Sequence, residues 1–204
     1  MKQVLCFGDS NTWGSDPAGF NRYTREQRWT GVLHRALEGK IHVIEEGLGG
    51  RTTVWDDPIE NKMSGKNYLF PCLDSHKPLD LVIIMLGTND LKKRFSVSAG
   101  DIARSVVTLI QIVEAHSPQA EILVLAPPPI KEIGGFAEMF EGGAEKSKHF
   151  SSEFAKIPQT TKAHLLVTSK LIAVSDVDGI HLSVESHAIL GEAVANIVKS
   201  ILNL

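Results

Sequence analysis

Four short blocks of this chain carry side chains that could do chemistry together: FGDSNTWG at 7–14, EEGLGG at 45–50, GTND at 87–90 and VDGIH at 177–181. Acyl transfer needs a nucleophile, a base to take its proton, an acid to orient that base, and donors for the developing oxyanion. Ser10 offers the hydroxyl and His181 the imidazole. The spacing Asp-Gly-Ile-His is short enough for one turn to set Asp178 beside His181 and fix its tautomer, which leaves the other ring nitrogen for Ser10. Asp176 is a second candidate for that acid. Glycines 49 and 50 let a backbone N–H come close to a substrate, Asn89 has an amide NH2 to give, and the N–H of Ser10 makes a third donor.

Each block also has an ordinary reading. A GDS after an apolar run is a common turn or helix cap, GTND ends a strand equally well, and a lone histidine before a final helix is a polar turn residue. Asp9 reads as a backbone-bonding structural residue and Asp90 as a cap. Trp13 is either ordinary packing or a wall of the substrate pocket, and the second reading is preferred. Lys92-Lys93-Arg94 reads as a solvated charge run. The remaining histidines show no HExxH or comparable ligand spacing, so no metal and no cofactor is expected.

Positioning these groups requires strands that end beside one another. Apolar, β-branched runs at 4–7, 41–44, 81–86, 122–125 and 165–168 are short, continuous and bounded by Gly, Pro or polar clusters, the pattern of buried parallel strands. Between them Trp29, Val32, Leu33, Ala36 and Leu37 form one helical stripe, and Ile102, Val106, Leu109, Ile110 and Val113 form another. Leu190, Ala193, Val194, Ile197 and Ile201 form a last stripe. The alternation predicts a doubly wound α/β layer, in which ligands bind beyond the carboxyl ends of the strands, and all four blocks follow strands or close the rim there. Residues 51–68 and 130–150 interrupt the alternation as insertions. They carry the exposed-looking aromatics Trp55, Phe136 and Phe140, and could wall a pocket or build a subunit interface.

A hydrophobic content of 43% over this length supports one substantial core, so a single domain over 1–204 is expected. The net charge of −3 with scattered cations speaks against nucleic acid and against a polybasic membrane patch, and points to a small, roughly neutral ligand. No run approaches the length of a membrane-spanning helix. The first strand-like run starts at Gln3, which leaves no room ahead of it for a secretory signal, and the two cysteines, Cys6 and Cys72, form no disulfide framework. The expected location is the cytoplasm and both cysteines read as core filler.

The four blocks, in this order, resemble the signature blocks of the GDSL, or SGNH, hydrolases. RWTGVL, VIEEGLGGRTT, DLVIIMLGTND, the three prolines at 127–129, FEGG and VDGIH resemble more narrowly the bacterial arylesterase and acyltransferase branch, over nearly the whole chain. The resemblance implies a flavodoxin-like three-layer sandwich on a mainly parallel five-stranded sheet. It implies Ser10 as nucleophile, Asp178 with His181 completing a triad, and Ser10, Gly49 and Asn89 as the oxyanion hole. It further implies hydrolysis of short-chain, acetyl-type esters, aryl esters and acetylated sugars among them, with acyl transfer to alcohols as an added activity, and a homo-oligomer. One departure is Asn11, which stands where the family's name has leucine and which bears on the pocket beside Ser10. The rival from another class is a non-catalytic flavodoxin-like module that cradles a phosphate on the first loop. It lacks GxxxxGK[ST] and GxGxxG there, and it leaves Asp178 and His181 without a use.

Overall fold

The computed structural model describes residues 1–19 and 21–204. Its frame is a five-stranded parallel sheet in the order β2-β1-β3-β4-β5. The strands are β1 (Lys2–Gly8), β2 (Ile41–Gly47), β3 (Leu81–Met85), β4 (Glu121–Ala126) and β5 (His164–Val167). The helices are α1 (Ser10–Trp13), α2 (Trp29–Ala36), α3 (Gly65–His76), α4 (Ala99–His116), α5 (Gly143–Ser147), α6 (Phe150–Phe154) and α7 (Val184–Leu202).

Side chains alternate across a strand, so a strand buried on both faces reads as an unbroken apolar run and feeds two cores. Leu5, Phe7, Val82, Ile84 and Val124 face α3 and α4, where Leu69, Leu73, Ile102, Val106 and Leu109 meet them. Val4, Cys6, Leu81, Ile83 and Leu123 face α2 and α7, where Trp29, Leu33, Leu190, Val194 and Val198 close the other side. The three layers follow directly. Among the described residues, no helix is long and apolar enough to cross a membrane.

The chain leaves β1 for β2 on one side and returns to β3 on the other, which opens a crevice between the loops after β1 and β3. That reversal of strand order is where open α/β sheets bind ligands. Phe7 pairs with Ile84 and Gly8 with Met85, so the two strands end level and Ser10 and Asn89 leave the sheet side by side.

The structure adds α3, which the pattern of apolar residues does not announce. Its stripe of Leu69, Cys72, Leu73 and His76 has helical spacing, but Pro71 sits inside the helix and Phe70 points outward to solvent, so the periodic signal is blurred. Ser64 caps its first turn by accepting from the Asn67 N–H at 3.3 Å. Of the aromatics expected at the surface, Phe140 is instead buried in the core beside α4.

Candidate active site

The turn after β1 is tight. A Cβ on Gly8 would stand 2.1 Å from Thr12 Oγ1 and 2.8 Å from the Met85 carbonyl, so only glycine fits where the backbone bends out of the sheet. Asp9 then caps α1, its Oδ1 accepting from the Asn11 N–H at 2.9 Å, and Ser10 occupies the first helical position. A first-turn N–H has no helical partner, so that of Ser10 stays free to donate outward.

The opposing loop is equally specified. Gly179 has φ +75°, and a Cβ there would lie 2.2 Å from the Lys131 carbonyl, so the Asp-Gly-Ile-His turn depends on glycine at its second position. Asp178 Oδ1 accepts from the N–H groups of Ile180 and His181, both at 3.0 Å, while Oδ2 accepts from His181 Nδ1 at 2.5 Å. Burial pushes the Asp178 carboxyl up, but the hydrogen bonds from His181 and from the two backbone N–H groups outweigh it and hold the group below the ordinary carboxylate range. With Nδ1 engaged, His181 Nε2 lies 2.9 Å from Ser10 Oγ. The structure thus brings Ser10, Asp178 and His181 into one hydrogen-bonded chain. Asp176 lies apart, its exposed carboxylate paired with Lys131.

Two residues that the spacing of the blocks does not flag hold these loops together. Asn11 donates from Nδ2 to the Ile180 carbonyl at 3.2 Å and accepts at Oδ1 from the Leu182 N–H at 2.9 Å. It therefore grips the backbone on both sides of His181 from the residue next to Ser10, a role that leucine could not take. Arg51, buried against the rings of Phe7 and Tyr68 with its guanidinium carbon 4.2 and 5.2 Å from their centroids, donates to the carbonyls of Gly8 (2.9 Å) and Glu46. Its own carbonyl accepts from Asn89 Nδ2 at 3.1 Å, which fixes the amide while leaving its second hydrogen free.

Asp9 and Asp90 lie behind this rim. Burial pushes the Asp9 carboxyl up to about 6, against the Asn11 hydrogen bond and the charges of His181 and Arg51. Burial does the same for Asp90, to about 6, against its bonds from Thr53. Asp90 is no local cap: it accepts from the Thr53 N–H at 3.0 and 3.1 Å and from Thr53 Oγ1 at 2.5 Å, tying the strand-ending turn to the 51–68 excursion.

A cavity of about 180 Å³ opens onto Ser10 and His181. Gly49 and Asn89 line it, so both join Ser10 around one space, and a Cβ on Gly49 would project into the open. Gly50 beside it has φ +79°. Both excursions contribute walls, Glu60 from the first and Phe136, Met139 and Phe140 from the second. The Phe136 ring meets the His181 imidazole edge-on at 5.8 Å. Trp13 is not among the lining residues; its indole lies under the Arg22 guanidinium at 5.2 Å. Lys92, expected in solvent, is 2% exposed and lines the cavity, because Asp57 and Glu60 pair with it. Among the described residues, Glu46, Cys72 and His76 have ligand atoms within 4.8 Å of one another, but Glu46 and His76 already bond at 2.8 Å and burial pushes the Cys72 thiol up to about 12.

Residues 6–189 match the family described as GDSL-like Lipase/Acylhydrolase. A carbohydrate acetylesterase from Sinorhizobium meliloti is 41% identical with a TM-score of 0.95, over 98% of this chain and 100% of its own. The native aryl esterase of M. smegmatis is 39% identical with a TM-score of 0.93, over the same shares. A GDSL esterase/lipase of Arabidopsis thaliana is 30% identical over 148 residues, 69% of this chain. The chain spans 55% of that curated relative's length and 32% of another's.

Two outcomes follow from this geometry. Asn11→Leu leaves a buried N–H and a buried carbonyl unpaired beside His181, and loosening the loop should slow the labelling of Ser10 by a fluorophosphonate by about 10-fold or more; an unchanged labelling rate means that the loop is held without Asn11. Asp9 and Asp90 bind protons more tightly folded than unfolded, so the stability they contribute is complete below the ordinary value of 3.8 and is lost as pH rises through about 6. Asp9→Asn should therefore gain in melting temperature relative to wild type as pH rises from about 4 to about 7, and a difference that stays flat with pH contradicts the assignment.

Proposed function

Because this chain belongs to the GDSL-like lipase/acylhydrolase family, we propose that it is a serine esterase cleaving short-chain, acetyl-type carboxylic esters through an acyl-enzyme. The observation that carries this reading is the placement of His181 Nε2 2.9 Å from Ser10 Oγ while Nδ1 is held by Asp178. In the neutral ring Nδ1 bears the hydrogen, so Nε2 presents a lone pair to the serine hydroxyl.

The steps follow from that arrangement. His181 takes the Ser10 proton as Oγ bonds to the ester carbonyl carbon, and the ionised Asp178 stabilises the imidazolium that forms. The carbonyl oxygen, now an oxyanion, receives hydrogen bonds from the N–H groups of Ser10 and Gly49 and from Asn89 Nδ2. The tetrahedral centre collapses, the C–O bond to the alcohol breaks, and the imidazolium gives its proton to the departing oxygen. Water, deprotonated by His181, then attacks the acyl-serine; the Ser10 Oγ–acyl bond breaks, Oγ takes the proton back from the imidazolium, and the acid leaves. Another alcohol in place of water makes the same step an acyl transfer.

The size of the cavity supports a small acyl group. At about 180 Å³ it falls below the usual range for drug-sized ligands, and Phe136, Met139 and Phe140 narrow it beside His181. Carbohydrate acetates and aryl acetates are the proposed substrates, in keeping with the two structural neighbours. A homo-oligomer is proposed as well, supported by Ile59 and Met63, which lie exposed on the 51–68 excursion. A phosphate-cradling module has no use for an imidazole aimed at a hydroxyl. Ser10→Ala should abolish turnover of a short p-nitrophenyl ester, and substantial residual hydrolysis means another nucleophile. Asn89→Ala, which removes one oxyanion donor, should raise the barrier by about 2.7–4 kcal/mol, read as a fall in kcat; a kcat within a few-fold of wild type excludes the amide from that role.

A further inference from the structure

The cavity has two kinds of wall. Phe136, Met139, Phe140 and Ile180 form an apolar side, and Glu60 and Lys92 form a charged one. The charged part belongs to a quartet that reaches into the 51–68 excursion. Lys92 Nζ donates to Asp57 Oδ2 at 3.2 Å and Glu60 Oε1 at 2.8 Å, and Arg94 donates to Asp57 Oδ1 at 3.0 Å and Glu60 Oε1 at 3.4 Å. Two carboxylates meet two cations, so the quartet is formally neutral. It offers directed hydrogen-bonding atoms without a net field that would select a charged ligand.

Two of those atoms have capacity left. An ammonium has three donors, and Asp57 and Glu60 take only two from Lys92. Both cations converge on Glu60 Oε1, whereas Oε2 enters no hydrogen bond among the described residues and lies 2.9 Å from the position a Cβ on Gly50 would take. Glu60 Oε2 is thus held against the loop that carries Gly49, whose N–H is assigned to the oxyanion. A side chain with the reach of glutamate ordinarily samples many rotamers; here two cations fix it in place. The result is an acceptor and a donor, side by side, at the edge of the cavity that holds Ser10 and His181.

We propose that Glu60 and Lys92 form the alcohol-side subsite, and that they select esters of polyhydroxylated alcohols by accepting a hydrogen bond from one hydroxyl and donating one to its neighbour. This rests on the esterase reading of Ser10 and His181. A methyl group of the acyl portion satisfies neither atom and belongs against Phe136 and Met139. An aryl leaving group also satisfies neither, and its contact with the charged wall would desolvate Glu60 Oε2 without supplying the hydrogen bond that oxygen can accept. A vicinal pair of hydroxyls satisfies both.

The test compares kcat/KM for a monoacetylated hexose with kcat/KM for phenyl acetate in wild type, Glu60→Gln and Glu60→Asp. Glu60→Gln keeps the shape and removes the ionised acceptor, and the hexose-to-phenyl ratio should fall by about 10-fold or more, chiefly through KM for the sugar ester. Glu60→Asp keeps the charge that pairs with Lys92 and Arg94 but withdraws the acceptor by one methylene, and should give an intermediate ratio. It carries the test alone if the glutamine variant melts at assay temperature. A ratio unchanged in both variants, or rates on both esters falling in parallel, overturns the subsite and leaves the esterase reading standing. Loss of the esterase reading has a separate signature: wild type turning over neither ester, or Ser10→Ala turning over both.

Discussion

An imidazole works as a base for a serine hydroxyl only while its ring is held from behind and its free nitrogen is kept within hydrogen-bonding distance of one oxygen. In this protein that distance, 2.9 Å from His181 Nε2 to Ser10 Oγ, spans 171 positions of chain. It is maintained by two short turns that are each built on a glycine, Gly8 on one side and Gly179 on the other. A shift of 1 Å at either turn would break the contact, and the surrounding structure is arranged to prevent it. Asn11 is the most direct restraint, because it joins the helix of Ser10 to the backbone flanking His181.

The same demand explains why so many polar groups are buried here. A buried arginine is costly unless its donors are used and its planar face is covered. Arg51 meets both conditions through the carbonyls of Gly8 and Glu46 and the rings of Phe7 and Tyr68, and in doing so it locks the ends of β1 and β2 and sets the Asn89 amide. Asp9 and Asp90 show the opposite balance. Their hydrogen bonds fall short of the desolvation they suffer, and both carboxyls are pushed up to about 6. The site is therefore held in place at some expense to the stability of the fold at neutral pH.

The excursions at 51–68 and 130–150 wall the cavity over this frame. The second supplies rings, Phe136 among them, that narrow the space beside His181. The first supplies Glu60, and the quartet that fixes Glu60 also draws Lys92 out of solvent. The run Lys92-Lys93-Arg94 looks like a solvated patch because charge on a surface turn is ordinary, and nothing in the run itself discloses that Asp57, 35 positions away, lies fully buried beneath it.

Much of the fold was legible because parallel strands buried on both faces read as unbroken apolar runs, as β1, β3 and β4 do, while the edge strands β2 and β5 are only partly buried and carry the exposed His42 and His164. The helix α3 was not, since Pro71 and the outward Phe70 obscure a stripe that only the sheet beneath makes visible. Ser10, Asn89, Asp178 and His181 could be picked out as candidates because their blocks are local: the types and spacing that a tight turn needs are written in consecutive residues. Arg51 and Glu60 could not, and Asn11 stood out only as a departure beside Ser10 without a role, since an asparagine, an arginine or a glutamate has the same chemistry wherever it stands. Their use depends on which backbone or side chain lies opposite, and that is decided by the packing of distant loops at the β1/β3 reversal. Sequence alone determined which groups were available for chemistry and the order in which the strands present them. Tertiary structure decided which of them meet, because hydrogen bonds act over about 3 Å and only the folded chain sets distances on that scale.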